Sequence, residues 1–129
     1  MKPLDVRPDI DAATAALPSA LGAKREIRKL PGVLWEGETV ERLAIGQYGG
    51  GQGLVAMTDK RLLFFKHGFL SQTLEDFPYN RISSVQWSAG PLMGTLTVFT
   101  SGNRAEIKSM PKDPGKTLAD KLRARLAGM

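Results

Sequence analysis

The chain has 129 residues, enough for one hydrophobic core but too few for two self-sufficient ones, so a single domain is expected. Its 42% hydrophobic and 24% charged residues fit a globular protein, and the lack of cysteine excludes a disulfide framework, thiolate metal ligands and a cysteine nucleophile. A net charge of +5 permits contact with phosphate-rich partners, but the cations are scattered without a run of five and read as solvated faces.

No window approaches the ~20 apolar residues of a membrane span. No apolar stretch of leader length follows Met1-Lys2-Pro3-Leu4-Asp5. The expected location is therefore the cytoplasm, with at most a peripheral membrane contact.

Residues Pro8 to Leu30 read as a helix broken in two: Asp9 is placed to cap an Ala-rich turn that Pro18 ends, and Ser19 to cap a second that Pro31-Gly32 closes. From Thr39 to Ser109 the pattern changes to short β-branched and apolar runs separated by Gly, Pro, Asn or Asp. Seven strands are predicted, at Val40 to Tyr48, Gly53 to Thr58, Arg61 to Lys66, Thr73 to Phe77, Ile82 to Ala89, Thr95 to Thr100 and Arg104 to Ser109. In the fifth, Val85, Trp87 and Ala89 alternate with polar residues, and in the seventh Ala105 and Ile107 do, so each has one buried face. Ser101-Gly102-Asn103 reads as a tight hairpin. The last segment has helical spacing, with Asp113 as N-cap, Pro114 at the first helical position and Leu118, Leu122 and Leu126 on one stripe that can cover a bent sheet.

Three strings in this order carry a resemblance: Leu34-Trp35-Glu36-Gly37-Glu38, Thr58-Asp59-Lys60-Arg61-Leu62, and Phe77-Pro78-Tyr79-Asn80-Arg81-Ile82 running on to Val85. Together they resemble the bacterial pleckstrin-homology (PH) domain family that includes short YokE-like proteins, over about Lys24 to Leu126. The resemblance implies a mainly β, PH-like fold of seven antiparallel strands in two near-orthogonal sheets, capped by a C-terminal helix. Residues 1–32 would form an N-terminal helical extension and residues 33–129 the PH-like domain. Read physically, Asp59-Lys60 is a two-residue turn, and the run Leu62 to Phe65 fills both sides of a central strand.

Function is read from the site, not the fold. Lipid-binding PH domains converge cations around the first hairpin, but here that loop is Gly49-Gly50-Gly51-Gln52-Gly53, with no cation in its flanks closer than Arg42. Phosphoinositide specificity is not expected. The Gly-rich stretch lacks a nucleotide-binding Gly-Lys-Ser/Thr ending. The candidate contact surface is the loop between strands three and four, comprising Lys66, His67, Phe69 and Leu70, with Arg104 expected nearby. His67 is the sole histidine and has no sequence neighbour to orient it, so no catalytic, cofactor or metal site is expected. Glu36, Glu38 and Glu41 read as solvating the approach to the first strand. Phe64, Phe65, Trp87 and Phe99 read as core rather than as a nucleic-acid platform, and no small-molecule substrate is evident. The leading expectation is a non-catalytic module for protein interaction or self-association, aided by the apolar Ile10, Leu17, Leu21, Ile27 and Leu30 of the extension. The alternative is weak peripheral binding to anionic lipid through Lys66 to Leu70.

Overall fold

Apolar runs that do not alternate, such as Leu54-Val55-Ala56-Met57 and Leu62-Leu63-Phe64-Phe65, need cover on both faces. The protein supplies that cover from its two ends. The computed structural model describes residues 6–129 except the side chain of Leu21; Met1-Lys2-Pro3-Leu4-Asp5 lie outside the described residues. Seven strands follow in antiparallel meander: β1 (Val40–Tyr48), β2 (Gly51–Thr58), β3 (Arg61–His67), β4 (Gln72–Pro78), β5 (Ile82–Ala89), β6 (Met93–Thr100) and β7 (Asn103–Pro111). Helices α1 (Pro8–Ala15) and α2 (Lys24–Lys29) precede them, and α3 (Lys112–Ala127) ends the chain.

The two expected sheets run into one another as a single seven-stranded sheet in the order β4-β3-β2-β1-β7-β6-β5. Its two lobes are joined by β1 and β7, paired at Gln47 and Lys108. Inside the bend, Val55, Met57, Leu62 and Phe64 meet Leu96, Val98 and Ile107, with Leu118 and Leu122 of α3 closing the core. The outer face of β1 to β3 carries Leu43, Leu54, Ala56, Leu63 and Phe65, covered by Ile10, Ala13, Ala23 and Leu30 of the extension. Leu17 and Ile27 pack on the same cluster. These apolar residues are therefore spent on the fold, and the expectation that they recruit a partner is corrected. The side chain of Leu21, expected among them, lies outside the described residues.

Three expected caps differ. Arg7, not Asp9, occupies the N-cap of α1, and Asp9 instead grips Arg7 (Nε to Oδ1 2.9 Å, Nη2 to Oδ2 2.7 Å) and accepts from the Val40 N–H at 2.8 Å. Ala20, not Ser19, precedes the 3-10 turn Leu21–Ala23. Pro111, not Asp113, precedes α3, leaving Asp113 in its first turn, where a carboxylate favours the helix dipole. Ser109 adopts φ 54°, and the β6–β7 register shifts there, so Ile107 and Met110 are both buried although three residues apart in a strand. Trp87 faces inward, its ring over Gly94 and Gly115, where an added Cβ would lie 2.4 Å and 2.5 Å from ring carbons. Ala89 is exposed and Phe99 half-buried outside the main core, contrary to expectation.

The Asp9 clamp makes a pH prediction. The hydrogen bonds from Arg7, reinforced by the Val40 N–H, outweigh burial and hold the Asp9 carboxyl at about 2, against an ordinary 3.8. A depressed carboxylate stabilises above its unfolded value and loses that contribution as pH falls through the folded one. Asp9→Asn should therefore lower stability at neutral pH and flatten its fall between pH 3.8 and about 2, as followed by urea unfolding at a series of pH values. Parallel acid curves for the two proteins would refute this.

Candidate functional site

The three strings that carry the family resemblance meet at one point. Arg61, only 1% exposed, begins β3 immediately after the Asp59-Lys60 turn. Its Nε and Nη2 donate to Glu38 (2.9 Å and 3.0 Å), Nη2 also donates to the Val33 carbonyl (3.1 Å), and Nη1 pairs with Asp76 of β4. The Trp35 ring lies 3.9 Å from the guanidinium carbon. Thr58 donates to Glu38 at 2.6 Å while its hydroxyl accepts the N–H groups of Lys60 and Arg61 across the turn. The Tyr79 hydroxyl bonds to the carbonyls of Thr58 and Arg61. Burial works against the Glu38 charge, but hydrogen bonds from Arg61, Thr58 and the Trp35 N–H prevail and hold its pKa below the ordinary range. Glu38 is therefore not a loop-solvating acid. Glu41 is not either, since both its oxygens accept from Arg125 Nη2 (2.7 Å and 2.8 Å), anchoring the end of α3 to β1. Arg61, Glu38 and Thr58 are buried and hydrogen-bonded, with Trp35 and Asp76 flanking them at the surface, so the network holds separate elements together.

The candidate contact loop is the tip between β3 and β4. Phe69 is 92% and Leu70 90% exposed. Its base is held by the extension: the His67 N–H donates to Glu26 at 2.9 Å, and Arg25 donates to the His67 carbonyl at 3.3 Å. The His67 ring lies near Phe65, with Nδ1 3.3 Å from the Gln72 amide oxygen rather than beside a carboxylate. Lys66 reaches the neighbouring hairpin, where a Cβ on Gly51 would stand 2.3 Å from its Nζ. That hairpin is shorter than expected. β1 and β2 pair down to Tyr48 and Gly51, leaving only Gly49-Gly50 as the turn at φ +64° and +85°, a conformation natural to glycine. The cation-poor reading of this loop is thus corrected in space: β3 brings Lys66, and Lys108 of β7 lines the recess beside Gly49 and Gly50.

Arg104 does not join that tip. It lines a separate open cleft of about 650 Å³ at the mouth of the bent sheet, which none of Lys66, His67, Phe69 or Leu70 lines. Phe77, Ile82 and Ala105 form its buried floor, and Arg81 and Asn80 stand on its rim. Tyr48 also lines it; burial and a hydrogen bond with Glu75 push its phenol up to about 12. Sequence reading missed Arg25 and Arg81 as site residues. Arg25 carries no local signal, and Arg81 stands in the sequence only within the string from Phe77 to Val85. Among the described residues, no three His, Asp or Glu side chains come together to hold a metal. No helix among them is long and apolar enough to cross a membrane.

Comparison with known proteins agrees with this architecture. No curated protein matches the sequence. The solved Vps36 N-terminal PH domain superposes with a TM-score of 0.58 at 18% identity, covering 74% of this chain and 84% of that one. A DUF1696-family protein with a pleckstrin-homology domain from Shewanella loihica PV-4 gives 0.54 at 15% identity, covering 79% and 93% respectively. At such identities these likenesses establish the fold alone. The family described as "Bacterial PH domain" matches residues 34–124, which contain every side chain of the Arg61 network and all seven strands, and the chain belongs to that family.

Proposed function

We propose that this domain is a non-catalytic docking module that touches an anionic membrane surface through its β3–β4 tip. The observation that carries the reading is the near-complete exposure of adjacent Phe69 and Leu70 on a tip held by strand pairing and by the extension. A protruding apolar pair is buried most simply by a medium that yields around it, as lipid does, without shape complementarity. Lys66 and Arg25 stand at its base, where cations gain from an anionic surface. Burial of the two side chains supplies about 1.5 to 3 kcal/mol each and the cations about 1 kcal/mol each. One copy then binds no more tightly than roughly micromolar, so the contact is reversible. The reading places the protein in the cytoplasm, peripheral to the membrane, with residues 1–32 as a supporting extension of a PH-like unit at 33–129. Kinship to the YokE-like proteins rests on the three sequence strings.

Protein contact or self-association through the same tip is the second reading. It draws on β4, which begins beside the tip, is a sheet edge and exposes Leu74 to 40%. The double variant Phe69→Ser, Leu70→Ser separates the two. Sedimentation with phosphatidylcholine vesicles, with and without phosphatidylserine, should show serine-lipid-dependent binding that salt weakens and the variant reduces at least about a hundredfold. An unchanged vesicle affinity would sink the membrane reading. A loss of self-association by the variant, without vesicle binding by either protein, would establish the second reading instead.

A further inference from the structure

The cleft at the mouth of the sheet has no part in the tip contact, and its chemistry is different. Its floor is apolar, Phe77, Ile82 and Ala105 being buried. Of its two acids, Asp76 is engaged by Arg61, and Glu75 acts on the Tyr48 phenol, whose proton it helps to hold. Its two cations are not so engaged. Arg81 and Arg104 are exposed, and among the described residues neither guanidinium has a hydrogen bond or ion pair. They approach the cleft from separate elements, Arg81 from the 3-10 turn after β4 and Arg104 from the start of β7. A cleft of about 650 Å³ is within the size range of ligand sites, and two guanidinium groups without acid partners select an anionic occupant.

One wall is Glu75 to Pro78 of β4. β4 is the last strand of the sheet, so its outer edge has no strand partner. Asp76 lines the cleft although its carboxylate is engaged by Arg61, and it pairs across the ladder with Leu63, which faces the outer cluster. It therefore meets the cleft along the strand edge, where backbone N–H and C=O groups alternate outward. Pro78 has no N–H and ends this ladder, so the edge open to pairing is Gln72 to Phe77.

We infer that the cleft receives an acidic peptide segment of a protein partner, laid as an added strand on the edge of β4 with its carboxylates on Arg81 and Arg104. Main-chain pairing supplies the general affinity of strand addition and the two arginines supply the charge selectivity. Combined with a lipid-seeking tip, the module would tether that partner, but the cleft does not depend on the tip.

The test uses the 15N-labelled full chain and the peptide acetyl-Glu-Val-Glu-Thr-Glu-Val-amide, with a control in which each Glu is Lys. Saturable amide shifts are expected at β4 and around Arg81 and Arg104 with the Glu peptide and not with the Lys peptide. Arg81→Gln with Arg104→Gln should weaken binding at least about tenfold, the loss of roughly one charge-assisted contact. Phe69→Ser, Leu70→Ser should leave it unchanged. No shifts at millimolar peptide, or equal shifts with both peptides, would overturn the inference. Shifts produced by inorganic phosphate alone would assign the cleft to a small anion and overturn the peptide reading, as would an arginine-dependent response only to phosphatidylserine vesicles.

Discussion

Replacing Arg61 by alanine is expected to destabilise the fold by about 3 to 5 kcal/mol, the usual consequence of breaking a buried ion pair from one side. Glu38, 3% exposed, would keep its burial and lose its principal donor. The Val33 carbonyl and Asp76 would lose partners with it. The pH dependence gives a second readout. In the native protein the Glu38 pKa is held below the ordinary range, so its contribution is present above the unfolded value and fades as pH falls. Without the guanidinium, burial dominates and raises that pKa, so the deficit of the variant relative to the native protein should shrink on acidification. Urea unfolding at neutral and acidic pH measures both effects. A loss under 1 kcal/mol, or a deficit independent of pH, would mean that the network is not the anchor described above.

Leu122→Ala should cost about 2 to 5 kcal/mol, as removal of a fully buried leucine does. Leu122 is 0% exposed, in the cluster that joins α3 to the sheet core. Leu126 lies on the same stripe but is only partly buried, so Leu126→Ala should cost distinctly less. Thermal or urea unfolding of the two variants gives the comparison. A cost below half a kcal/mol for Leu122→Ala would show that α3 does not close the core.

The Arg61 network also explains why the family strings say little about ligands. Trp35, Glu38, Thr58, Arg61 and Tyr79 come from three separated segments and contact one another, tying the approach to β1, the β2–β3 turn and the entry to β5. Such residues mark the fold. The exposed apolar pair and the two arginines without acid partners lie elsewhere, on the tip and in the cleft.

Local chemistry made much of the architecture legible in the sequence. Alternation at Ala105 and Ile107, the Asp59-Lys60 turn and the leucine stripe of α3 each depend on residues within a few positions of one another, and strand and helix periods express that dependence directly. The doubly buried run Leu62 to Phe65 was legible for the same reason. Tertiary structure alone decided what covered each face. The extension lies over the outer side of β1 to β3 because those strands have a second apolar face to hide, and no local period names its cover. Capping was misread where a distant group competed: Asp9 bonds Val40, 31 residues away, rather than the start of its own helix. Lys66 reached the first hairpin, and Arg81 and Arg104 a common cleft, through the bend and closure of the sheet. Charges become a site by converging in space, and convergence between residues far apart in the chain follows from strand order and curvature, which single-residue patterns do not encode.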